Sequence, residues 1–213
     1  MNAPKHPAAE SLEPTVESRR EDELYFRRLG VPYTADGLLK VLNAKRPKTA
    51  LPIACHSLAD LNATEAIPVL KSLADFPIAD VKATSVLAVA RLAGRAETPW
   101  LIECLTRKGT DKSYVAWALA AVADPLAYDA VTKWFEPILR KLERSPTADP
   151  RGSAIYAVAY LEQVAPFIPG ASALLERFRI VAPSLESTVR LQLAHATHMF
   201  SHWKVRNEGV DHA

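Results

Sequence analysis

Three histidines fall at positions 195, 198 and 202 of the stretch LAHATHMFSHW, residues 193 to 203. On an α-helix His198 and His202 sit one turn apart, with His195 close to the same face, a spacing from which zinc sites are built. A site must surround its ion with three or four ligands, each imidazole oriented by an acceptor behind it. One helix does not do this: no cysteine lies nearby in sequence, and the local carboxylates are Glu208 and Asp211, close to the last residue. The stretch reads as the polar outer face of a terminal helix, and no metal or cofactor is expected. The two cysteines, Cys55 and Cys104, sit inside apolar helical patterns. They read as small buried hydrophobes in a reducing compartment, not as nucleophiles or a disulfide. There is no glycine-rich phosphate loop and no His-Glu metal motif, so no catalytic constellation stands out and the chain reads as a non-enzyme.

Any residues that act must therefore be positioned by the repeating elements of the chain. Hydrophobic residues make up 49% of its 213 positions and charged residues 23%, as in an ordinary folded protein. Glycine is scarce, with seven, and alanine abundant, which favours helix over sheet. A formal net charge of +2 announces neither a nucleic-acid nor a membrane partner. No apolar run approaches the roughly 18 residues of a membrane span, and the N-terminus has no apolar core of a secretory signal. A cytoplasmic location is the expectation. Residues 1–16, rich in Pro, Glu, Ser and Ala, read as a mobile tail, 17–205 as a single domain, and 206–213 as a C-terminal tail.

From Glu17 onward apolar residues recur at three- and four-residue spacing, the helical period. The chain also repeats itself. PVLKSLADFPIADVKATSVLAVARL (68 to 92) and PILRKLERSPTADPRGSAIYAVAYL (137 to 161) align without a gap. They share Pro68/Pro137, Leu70/Leu139, Leu73/Leu142, Asp80/Asp149, Ala88/Ala157 and Leu92/Leu161 among other identities, so turn and core residues are preserved together. A third copy, PWLIECLTRKGTDKSYVAWALAAVA (99 to 123), lies between them, and weaker copies flank the three at 37 to 61 and 173 to 200. Units of roughly 30 to 40 residues, about five in number, indicate an array in which each unit buries its apolar face by stacking on its neighbours.

The detail of the units resembles HEAT repeats. IPVLKSL supplies a first helix with a proline followed by leucines, Asp80 closes the turn, and Val81-Lys82 opens a second helix carrying the small residues Ala88 and Ala90. The last unit contains Val189-Arg190. The resemblance covers about residues 34 to 203. It implies an all-α, right-handed α-solenoid of about five helix pairs, with ESRREDELYFRRL (17 to 29) as an N-terminal capping helix.

Two enzyme types with such repeats give further expectations. Alkylpurine DNA glycosylases of the HEAT-like kind place tryptophans and an aspartate in a basic groove. Here Trp100, Trp117, Trp134 and Trp203 have no aspartate four residues on, and Asp124, the one aspartate near Trp117, reads as a cap or turn residue. Related repeats occur in phycobilin lyases, but no residue here argues for that chemistry. The basic clusters KRPK (45 to 48), RKGTDK (107 to 112) and LRKLER (139 to 144) are expected between the first and second helices of their units. There they would line one edge and could track phosphates, but they also suit the carbonyl ends of helices, and Asp75 and Asp80 interrupt the edge.

In such arrays the second helices line the concave side. With 84, 87 and 91 as outward positions, the alignment carries a strip through Ala50, Ile53 and Ser57; Thr84, Leu87 and Arg91; Tyr114, Trp117 and Ala121; Ser153, Tyr156 and Tyr160; and Gln192, His195 and Met199. Arg91 is its one formal charge. Aromatics presented this way offer large rigid contact area with a polar handle, as a protein interface requires. The partner-binding set is accordingly Arg91, Tyr114, Trp117, Tyr156, Tyr160 and His195, and the expected role is a binding module for a protein partner: an inhibitor, an adaptor or a toxin-neutralising immunity protein. Nucleic-acid binding along the basic edge is the alternative. The oligomeric state stays open, since the same strip would serve a homodimer.

Overall fold

The computed structural model describes residues 16–145 and 153–185. These are all-helical, with no strand among the described residues. The helices are α1 (Val16–Arg28), α2 (Ala35–Ala44), α3 (Ala50–Asp60), α4 (Ile67–Leu73), α5 (Ala79–Ala93), α6 (Thr98–Thr106), α7 (Lys112–Val122), α8 (Tyr128–Arg144), α9 (Ser153–Val164) and α10 (Pro169–Val181).

Local chemistry sets the ends of these helices. The Thr34 side chain accepts a hydrogen bond from the Gly37 N–H and caps α2, and Asp111 caps α7 by accepting from the Ser113 N–H at 3.0 Å. Pro68, Pro99 and Pro169 lie in the first two positions of α4, α6 and α10, where a missing N–H costs nothing. Pro137 differs from its sequence counterpart Pro68: it lies inside α8, because that helix starts more than two turns earlier, at Tyr128. LRKLER, expected in a turn, consequently forms the last turns of α8. Gly94 ends α5 with φ of 53°, and a Cβ on Gly37 would lie 2.1 Å from the Pro32 carbonyl oxygen. Only glycine lets the chain turn this tightly into α2.

Each helix packs against its sequence neighbours. α2 pairs with α3, α4 with α5, α6 with α7 and α8 with α9, while α1 lies on α3 and α10 on α9. The second members of these pairs also form a row, α3 on α5, α5 on α7 and α7 on α9; on the other side α2 touches α4, α6 touches α8 and α8 touches α10. Alanines make the row close: Ala83, Ala88 and Ala90 of α5, Ala116, Ala118 and Ala120 of α7, and Ala157 and Ala159 of α9 are all buried. Larger side chains such as Leu70, Leu101, Phe135 and Leu139 fill the space beneath from the first helices. A helix of the row is covered on three sides, so only a narrow strip of each stays open. Among the described residues no helix is long and apolar enough to cross a membrane.

Candidate functional site

The open strips of α3, α5, α7 and α9 run side by side, because these helices pack in order. Ile53, Leu87, Trp117 and Tyr156 are half-buried at equivalent places along them. The α7–α9 part is aromatic. Tyr114 stacks on Trp117, one turn on, with ring centroids 6.3 Å apart and planes 24° from parallel. Trp117 stacks in turn on Tyr156 across the helix junction, at 5.3 Å and 5°. Offset stacks of this kind contribute about 0.5–1.5 kcal/mol beyond the area they bury. The Trp117 indole N–H is shielded and has no hydrogen-bond partner. Burial pushes the Tyr114 hydroxyl above the ordinary phenol value, and the carboxylates of Asp111 and Asp80 add to it. Tyr156 is raised mainly by burial, then by Tyr114 and Asp111.

The α3–α5 part is polar and internally paired. Arg91 Nη2 donates to Asp60 Oδ1 at 2.5 Å, and Arg91 Nη1 lies 3.3 Å from His56 Nδ1. The second oxygen of Asp60, whose side chain is only 1% exposed, lies 3.6 Å from His56 Nε2. The fully buried Ser57 hydroxyl donates to Asp22 of α1 at 3.3 Å. Burial raises the Asp22 carboxyl above its ordinary range, His56 and the Ser57 bond work against this, and Asp60 and Glu21 reinforce it. Sequence reasoning missed this cluster, since Asp22 and Arg91 lie more than 30 residues from the α3 residues they bond. The one local sign was the i,i+4 pair His56/Asp60 within an otherwise apolar stretch.

Of the expected binding residues, Arg91, Tyr114, Trp117 and Tyr156 lie on the open strip, with Arg91 committed to Asp60. Tyr160 requires correction. It is 0% exposed, and its hydroxyl donates to the Asp124 carbonyl oxygen at 2.7 Å. The end of α7 turns at Ala123, in the left-handed conformation, and brings that carbonyl over α9. Ala50, Ser57 and Ala121, also placed on the strip by alignment, are buried too. The step from the middle position to four residues on stays open only in α5, so the strip follows a line through 53, 87, 117 and 156. His195, His198 and His202 lie outside the described residues.

Other candidates are occupied structurally. Trp100 packs against the core on both sides and lies under Lys71, whose Nζ is 5.5 Å from the ring centroid. Asp124 accepts from the Leu126 N–H and caps the turn into α8. Of the basic clusters, Arg107 bridges both oxygens of Asp75 at 3.0 and 2.8 Å and also Glu103 at 2.6 Å. Burial pushes Cys55 up to about 12 and Cys104 up to about 11, so neither offers a thiolate near neutral pH.

Comparison with protein-family models, with characterised proteins and with solved structures finds no match.

Proposed function

We propose that the chain is a HEAT-like, right-handed α-solenoid capped by α1, and that it acts as a non-enzymatic cytoplasmic module holding a protein partner on the concave face of its second helices. The observation that carries the reading is the half-buried stack Tyr114–Trp117–Tyr156, contributed by two adjacent helices. Aromatic side chains on a rigid support lose little entropy on binding and dominate interface energetics where they occur. The buried cysteines, neither in a disulfide, support a reducing compartment. An inhibitor, an adaptor or a toxin-neutralising immunity protein would each use such a face.

The test is capture from nuclease-treated host lysate, with wild-type bait beside a Tyr114→Ala/Tyr156→Ala double variant shown to be folded by circular dichroism. Retention of one protein near stoichiometry by wild type, and its loss from the variant, supports the reading. Capture that is identical in the two baits, or that appears only when nuclease is omitted, overturns it. In the latter case the basic cluster at 45–48 is the next place to mutate, and the steep salt dependence of phosphate contacts would identify it.

A further inference from the structure

Two exposed carboxylates lie by the aromatic stack. Asp111 is the N-cap of α7 and precedes Tyr114 by three residues; Asp80 lies in the first turn of α5, which packs on α7. Both carboxylates are exposed and both act on the Tyr114 hydroxyl; Asp111 also acts on Tyr156. Arg91 of the neighbouring helix pairs with Asp60, and Lys82 Nζ reaches the Gly109 carbonyl oxygen at 3.5 Å, on the turn that leads to Asp111. Lys112 lies about 160° around α7 from Tyr114, on its other side. The aromatic rings add the negative potential of their faces to that of the two carboxylates.

Resting on the binding-face reading above, we infer that the Tyr114–Trp117–Tyr156 stack with Asp80 and Asp111 recognises an arginine-bearing basic segment of the partner protein. A guanidinium satisfies both halves of this surface at once. Its flat face stacks on an aromatic ring, and its edge donates to a carboxylate, a combination that a lysine ammonium matches less well. An acidic segment would meet two like charges and a ring face of the same sign, and would be rejected.

The probes are two synthetic peptides, acetyl-Gly-Arg-Gly-Arg-Gly-amide and acetyl-Gly-Glu-Gly-Glu-Gly-amide, titrated to about 10 mM, since a few isolated contacts give affinities near the millimolar range. The readout is the indole N–H resonance of Trp117 in the full chain labelled with nitrogen-15, assigned with Trp117→Phe. A saturable shift with the arginine peptide, at least about tenfold weaker for the glutamate peptide, is expected. An Asp80→Asn/Asp111→Asn variant, in which asparagine still caps α7, should bind the arginine peptide about fivefold or more weakly. Equal response to the two peptides, no saturable shift, or an unchanged affinity of the asparagine variant overturns the inference. These failures are separable from that of the binding face. If Tyr114→Ala/Tyr156→Ala loses the captured partner while the arginine peptide does not bind, the face stands and its basic occupant falls.

Discussion

Two halves of one face answer the same structural problem differently. In α3 and α5 the helices are tied by charge: Arg91 reaches across to Asp60, and His56 closes the group. In α7 and α9 they are tied by ring stacking, and the central ring carries an N–H with no hydrogen-bond partner. The first arrangement commits Arg91 and one oxygen of Asp60 to each other, so its contribution is a link between helices. The second leaves ring surface uncommitted, and nearby carboxylates unpaired with Arg91 or Lys82. An outward residue is therefore informative about binding only once its own partners are known. Arg91, the one charge on the strip foreseen from sequence, belongs to the scaffold.

The sharpest test of the boundary between scaffold and face lies in α9. Tyr160→Ala removes a fully buried aromatic and one of the two hydrogen bonds to the Asp124 carbonyl, which keeps the one from the Ala127 N–H, so it should lower unfolding free energy by about 3–5 kcal/mol. Tyr156→Ala, one turn away but half-buried, should cost about 1–2 kcal/mol. Urea denaturation of both variants gives the comparison directly. Equal costs would mean that Tyr156 is as much part of the core as Tyr160, and the aromatic half would lose its claim to be a binding face.

The polar half is probed by Arg91→Met. The Asp60 side chain is 1% exposed and that of Arg91 16%, so the substitution strands a carboxylate in the interior at a cost of about 3 kcal/mol. Adding Asp60→Asn should recover much of the loss, and a double-mutant cycle should show a coupling of about 1 kcal/mol or more. Additive effects in that cycle would break the contrast, because Arg91 would then be as free for a partner as the rings are.

Much of this was legible in the sequence, and the failures have a common cause. Helical period and small residues show where the helices run, and the expected helix over 17 to 29 appears as α1, Val16–Arg28. Alignment also carried the middle outward position correctly from Leu87 to Trp117 and Tyr156. It failed at Tyr160 because burial there depends on a carbonyl delivered by Ala123 in a left-handed turn, which no local pattern encodes. The Asp22–Ser57 and Asp60–Arg91 links escaped notice for the related reason that pairing over 35 and 31 residues is a property of packing.

The smallest expected effect lies where the polar half meets α1. Asp22 is a half-buried carboxyl whose proton is held more tightly in the folded chain than its ordinary value of 3.8, chiefly because burial penalises the charge. Below that value both states are protonated, and the group adds nothing to the pH dependence. As pH rises through 3.8 the unfolded chain releases its proton first, and folding stability falls until the folded chain has released its own. Above that point ionised Asp22 is a standing cost, eased but not removed by His56 and the Ser57 hydroxyl. Asp22→Asn cannot ionise, and its amide oxygen can still accept from Ser57. It should therefore be more stable than wild type near neutral pH, by less than either effect above, and the advantage should vanish below pH 3.8. Urea midpoints measured across this range check it. A variant less stable than wild type at neutral pH would show that the ionised carboxylate holds α1 in place through His56, and the polar half would then depend on its net charge balance as well as on its hydrogen bonds.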